Sequence, residues 1–180
     1  YGKVNGIKGN VDINKLYELD LSEIDCEELS SDFLNEDVLL YNFKFSNTTT
    51  RIPDGLFYEN KTLSLIDIPE NCEYIGENAF CNTNVRSLHI NGEVTIKKYA
   101  FMYCSTLESL VINNKAIIEE NAFCMSGITS LYIGGVGTSI GEKAFSSCEK
   151  MTFVTFADSI SYIGPQSFIY CDKLEKLEFN

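Results

Sequence analysis

Apolar side chains return along this chain in a fixed order, and phenylalanine marks the beat. Seven of its twelve phenylalanines fall at Phe33, Phe57, Phe80, Phe101, Phe123, Phe145 and Phe168, with successive gaps of 24, 23, 21, 22, 22 and 23. An isoleucine stands five residues earlier at Ile52, Ile75, Ile96, Ile118, Ile140 and Ile163. Immediately before the phenylalanine come Ala79, Ala100, Ala122 and Ala144, with Ser167 last. Downstream, the form apolar-x-x-apolar-x-apolar recurs as Leu63-Ile66-Ile68, Val85-Leu88-Ile90, Leu107-Leu110-Ile112, Ile128-Leu131-Ile133, Met151-Val154-Phe156 and Leu174-Leu177-Phe179. Read backwards it continues through Leu40-Phe43-Phe45 to Leu16-Leu19-Leu21, so eight copies span residues 16 to 180.

The last three positions of each copy alternate in-out-in, which predicts a short strand with one buried face. A unit this small cannot bury its apolar side alone. Parallel stacking at about 4.8 Å merges the units into one continuous core. Each rung then contributes two leucine-like and two isoleucine-like side chains, an alanine and a phenylalanine, at about 1.5–3 kcal/mol per large buried side chain. A period in the low twenties lies in the range of leucine-rich repeats. The expected fold is a mainly β leucine-rich repeat solenoid: a curved right-handed coil with one parallel sheet of about eight short strands, and tight turns or short helical turns on the other side. The alanine beside phenylalanine marks a tight turn in which a larger side chain would be crowded.

Ile68-Pro69 followed by Ile75-Gly76-Glu77-Asn78-Ala79-Phe80 resembles the BspA-like class of leucine-rich repeats. Ile140-Gly141-Glu142-Lys143-Ala144-Phe145 and Ile163-Gly164-Pro165-Gln166-Ser167-Phe168 repeat the motif. The resemblance covers over nine-tenths of the chain and is specific for fold. It implies a surface or secreted protein of the kind found in bacteria and some protists, engaged in adhesion to host proteins or other cells, with a host extracellular protein or a glycan as ligand. Its motif contains no catalytic residue. The first two units depart from it, with Asp32-Phe33 and Leu56-Phe57, and Lys97 and Glu119 stand where other units have glycine.

At 180 residues the chain is one domain. Residues 1–15 are expected to be a partial rung or an N-terminal cap, and 16–180 the repeat domain. The start at Tyr1 and the stop on a strand suggest a piece of a longer protein, with open ends through which copies could self-associate. The net charge of −12 argues against nucleic acid or an anionic membrane as partner. No apolar run approaches the roughly 20 residues of a membrane span.

The residues that suggest chemistry do so weakly. Cys104, Cys148 and Cys171 each follow the repeat phenylalanine by three, where Thr83 and Ser126 stand in other units. That interchange predicts a small buried slot able to satisfy turn backbone groups, with cysteine acting as a small hydrophobe. An odd total of seven cysteines and the absence of a CxxC pair argue against a disulfide framework or a zinc site, although Cys148 and Cys171 lie in adjacent rungs. Gly137-Thr138-Ser139-Ile140-Gly141 matches a nucleophile motif by letter, but its serine is not followed by a histidine; the single histidine, His89, lies upstream. His89 is expected to pair on the surface with Asp67, one rung earlier. Asn47-Thr48-Thr49 and Asn60-Lys61-Thr62 are glycosylation sequons in loops. No catalytic residue, metal or cofactor is expected.

Binding is expected on the strand face. One outward column runs Asp20, Lys44, Asp67, His89, Val111, Tyr132, Thr155, Glu178; the other runs Glu18, Asn42, Leu65, Ser87, Ser109, Ser130, Phe153, Lys176. Their ends are charged and their centre is not. Val111, Tyr132 and Phe153, flanked by Ser109, Ser130, Thr155 and His89, form the candidate patch. The competing reading is a structural spacer that carries another domain of a longer protein.

Overall fold

The computed structural model describes residues 17–34 and 38–180. Leu16 and the segment 1–15, with its expected cap, lie outside the described residues. Among the described residues the chain is a parallel β solenoid without helices.

The alternating segments form eight strands: β1 (Glu18–Asp20), β2 (Asn42–Lys44), β4 (Leu65–Asp67), β6 (Ser87–Ile90), β8 (Ser109–Ile112), β10 (Ser130–Ile133), β12 (Phe153–Phe156) and β14 (Lys176–Phe179). They bound seven turns of the coil. Each pairs in parallel with the equivalent residues of the next, so that Leu88, Leu110, Leu131, Val154 and Leu177 stand side by side. In β6 and β10 burial alternates as the in-out-in pattern requires. The ladder is interrupted once, between β4 and β6, leaving groups of three and five strands.

A second ladder, absent from the sequence expectation, lies on the other side of each rung. It comprises β3 (Arg51–Ile52), β5 (Tyr74–Ile75), β7 (Val94–Ile96), β9 (Ala116–Ile118), β11 (Thr138–Ile140) and β13 (Ile160–Ile163), also parallel. Each ends on the isoleucine that precedes the repeat phenylalanine by five. These strands are two to four residues long, too short for a period-two pattern to stand out against the surrounding turn.

The turn from that isoleucine to the phenylalanine explains the alanine. Two left-handed residues occur in each of these turns, for example Asn78 (φ 56) with Asn82 (φ 61), and Tyr99 (φ 62) with Tyr103 (φ 61). The backbone therefore curls tightly around Ala79, Ala100, Ala122 and Ala144, all fully buried. A non-glycine residue in this conformation costs roughly 1–2 kcal/mol. The same turns regain stability by donating to the next rung: Phe80 N to Ala100 O at 2.8 Å, Asn82 N to Met102 O at 2.8 Å, Tyr103 N to Cys124 O at 3.0 Å. Each such bond contributes about 0.5–1.5 kcal/mol net. From β6 to the turn around Phe168, neighbouring rungs are thus tied along three lines, two of strand and one of turn.

The core inside these lines is a column of rings. Phe57, Phe80, Phe101, Phe123, Phe145 and Phe168 stack face to face, with centroids 4.9 to 5.4 Å apart and planes within 17°. Offset stacking adds about 0.5–1.5 kcal/mol per pair beyond burial. At the N-terminal end the column closes against Phe43, whose ring meets Phe57 edge-on at 5.0 Å and 73°. Phe33 is buried but makes no ring contact with Phe57, in keeping with its divergent unit.

The slot three residues after phenylalanine behaves as its Cys/Ser/Thr interchange implies. Thr83 Oγ1 donates to Phe80 O at 2.9 Å. The Cys104 thiol donates to the same carbonyl at 3.1 Å, and Cys148 to Phe123 O at 3.3 Å. Cys104→Ser is therefore expected to cost no more than about 1 kcal/mol, because a hydroxyl can make the same bond. Cys104→Leu should cost about 2–3 kcal/mol by overpacking. Urea denaturation of the two variants checks that ordering.

Candidate binding face

Strict register places the outward residues of the first ladder in two files. His89, Val111, Tyr132 and Thr155 are neighbours in one, and Ser87, Ser109, Ser130 and Phe153 in the other. The charged ends are paired. Lys44 Nζ lies 3.0 Å from Asp20, and Lys176 Nζ lies 2.9 Å from Glu178. Hydrogen bonds from the Ser22 hydroxyl and backbone N–H, with Lys44 beside them, hold the Asp20 carboxyl down at about 2. Among the described residues, no ion pair joins side chains of the face between these ends.

The apolar centre is a diagonal. Val111 and Tyr132 share a file, while Phe153 stands one rung further on, opposite Ser130. Tyr132 is 38% exposed; Val111 and Phe153 are half-buried. The Tyr132 ring folds back over Gly134, where a Cβ would lie 2.9 Å from Cε1 and 3.1 Å from the hydroxyl oxygen. It therefore leans toward the end of its own strand and away from Phe153, and no ring contact joins the two. Phe153 instead has the Lys176 ammonium 5.3 Å from its ring centroid, a favourable cation–π arrangement. Gly134, just past the end of β10, makes room for the Tyr132 ring, and nothing in the repeat pattern marks it for that role.

His89 is exposed on β6, but it forms no ion pair with Asp67. The expected surface pair is not made; the interruption of the ladder falls between their strands.

The second ladder presents an outward file of its own, running Arg51, Tyr74, Thr95, Ile117, Ser139, Tyr162. The Arg51 guanidinium lies 3.9 Å from the Tyr74 ring centroid. A hollow of about 330 Å³ beside Thr95 and Ile117 is lined by Glu73, Glu93, Val94 and Lys115. Along the adjoining turn, Lys97 pairs with Glu119 and Lys98 with Glu120, the latter at 3.0 Å. Lys97 and Glu119, the two departures from glycine, are thus bonded to each other.

The arrangement offers little to a reaction. All seven cysteines are buried. Burial pushes the Cys72 and Cys81 thiols up to about 11, and the Cys104 and Cys124 thiols in the same direction. Ser139 lies within β11 and not at a strand-to-helix elbow, so the letter match to a nucleophile motif has no structural counterpart. Among the described residues, no group of three or more His, Cys, Asp or Glu side chains could hold a metal ion, and no helix is long and apolar enough to cross a membrane. Both sequon asparagines are engaged: Asn47 Nδ2 donates to Ser22 O at 3.1 Å. Asn60 donates to Val38 O and accepts from the Leu63 and Thr62 amides.

Comparison with known proteins places this geometry. The family described as BspA type leucine rich repeat region matches residues 27–148 and 116–180, in six copies. Among solved structures, a leucine-rich repeat protein from Bacteroides ovatus ATCC 8483 is similar, with 14% identity over 89% of this chain and a TM-score of 0.39. The match spans 66% of that protein's length. Among curated proteins, none matches.

Proposed function

The chain belongs to the BspA-type leucine-rich repeat family, and from that premise we propose that it is a binding module whose protein ligand docks on the first strand face. The observation that carries this reading is the register. It sets Val111 and Tyr132 in one file and Phe153 beside them on the next rung, with Ser109, Ser130, Thr155 and His89 around them. An exposed tyrosine beside a half-buried phenylalanine, in a small polar frame, is the composition of an interface centre. Ionic pairs close both ends of the face and leave the apolar diagonal as the part that gains most from being covered. The Cys72, Cys81, Cys104 and Cys124 thiols, which burial holds protonated, offer no nucleophile and support the reading as a binding module.

The family's habits support a cell-surface or secreted adhesion protein, with a host extracellular protein as ligand and a glycan as the alternative class. Tyr132→Ser combined with Phe153→Ser tests the site. Binding to immobilised extracellular matrix proteins should fall at least tenfold, the loss expected when hot-spot aromatics worth about 2 kcal/mol or more are removed. Because both side chains point outward, circular dichroism and thermal unfolding should be nearly unchanged. Unaltered binding by the folded double variant would remove this face from the interface. Absence of any binding by the unmodified protein would favour a structural spacer.

A further inference from the structure

We propose that Cys148 and Cys171 form a dithiol site that a small hydroperoxide oxidises to a disulfide between consecutive rungs. The two cysteines occupy the same slot after the repeat phenylalanine, one rung apart. Elsewhere in this file the slot pairs a thiol with a hydroxyl, and the two side chains touch: Thr83 Oγ1 lies 3.4 Å from Cys104 Sγ, and Ser126 Oγ lies 3.2 Å from Cys148 Sγ. Only between Cys148 and Cys171 are both neighbours sulfur.

The backbone fixes the rungs at a suitable distance. Phe145 N donates to Ser167 O and Ser147 N to Ile169 O, both at 2.8 Å, and the Phe145 and Phe168 rings stack at 5.4 Å. A disulfide needs Cα atoms about 4.4–6.8 Å apart, which a spacing near 5 Å satisfies. The two thiols point the same way, since Cys148 donates to Phe123 O at 3.3 Å and Cys171 to the equivalent Phe145 O at 3.2 Å.

Their environments divide the labour. Cys171 retains a little exposure (8%) and Cys148 has none. The contact between the two thiols lowers the pKa of Cys171, and the same contact together with burial pushes that of Cys148 up. Cys171, the more accessible of the two and the one more easily deprotonated, is accordingly the attacking thiol. Its sulfur attacks the O–O bond, forming a sulfenic acid and releasing hydroxide, which takes up the thiol proton as water. Cys148 sulfur then attacks the sulfenyl sulfur, and its own proton leaves with the hydroxyl as a second water. Two thiols lose two electrons and one hydrogen peroxide becomes two waters. The buried, close resolving cysteine is what keeps Cys171 from further oxidation.

The test is a thiol map. The protein is treated with hydrogen peroxide, remaining thiols are alkylated under denaturing conditions, and unreduced peptides are identified by mass spectrometry. The Cys148 and Cys171 peptides should be joined, lighter than the dithiol pair by two hydrogens, and separated again by dithiothreitol. In Cys148→Ser, Cys171 should instead be trapped by dimedone as sulfenic acid. Both cysteines recovered alkylated, Cys171 over-oxidised beside a free Cys148, or a different pair joined would each overturn the proposal. Should Cys148→Ser fail to fold, the map of the unmodified protein decides alone.

Discussion

Phe123→Ala is expected to lower the free energy of unfolding by about 3–5 kcal/mol, the range for truncating a buried aromatic ring. Phe123 is fully buried. Its ring lies between Phe101, 5.0 Å away with planes 2° apart, and Phe145, 5.2 Å away with planes 5° apart. Removing it deletes two stacking contacts and leaves a gap bounded by rigid rings. Collapse would have to bring neighbouring rungs together, and the hydrogen bonds of strands and turn hold them apart. Phe168 offers the internal control. It stacks on one side only, against Phe145, and is partly exposed, so Phe168→Ala should cost clearly less. Urea denaturation of both variants makes the comparison, and equal losses would show that continuity of the column contributes nothing beyond burial.

Gly135→Ala should be almost as severe, at about 3 kcal/mol, the upper end of what overpacking costs. A Cβ at Gly135 would lie 2.1 Å from both the carbonyl carbon and oxygen of Asn114, and 2.3 Å from Lys115 N. These are backbone atoms of the preceding rung, so no rotamer change can relieve the clash; the rungs must part. Gly137, two residues on, is the contrasting case. Its φ is +78° and its Cβ position is open, so Gly137→Ala meets only the conformational penalty of roughly 1–2 kcal/mol. Thermal unfolding of the two alanine variants should rank them in that sequence, and the reverse ranking would refute the close-approach argument.

Much of this architecture was legible from periodicity, and the limits have physical causes. The eight strands of the first ladder were readable because Leu88-x-Ile90 and its equivalents keep a strict in-out-in alternation. The second ladder was not, since Arg51–Ile52 and Tyr74–Ile75 are only two residues long. The tight turn was announced by alanine. The left-handed residues were not, because Tyr99, Lys143 and Gln166 occupy positions where glycine would be the usual signal. At the binding face, the files of outward residues followed directly from register. The direction of the Tyr132 ring did not, for it depends on the missing Cβ of Gly134, a residue that periodicity assigns to a turn. His89 and Asp67 occupy equivalent positions, yet equivalence holds only where the ladder is continuous, and between β4 and β6 it is broken.

The five-residue step from isoleucine to phenylalanine never varies from Ile52 to Phe168, and the differences in unit length fall in the two loops on either side of the first ladder. A single inserted residue in that step would unhook one rung from both neighbours at once, whereas a single residue in a loop bulges outward. A whole unit inserted or removed alters neither spacing nor register. The chain can therefore lengthen or shorten by complete repeats while each remaining rung keeps its surroundings, and the extent of its outward face becomes a matter of copy number.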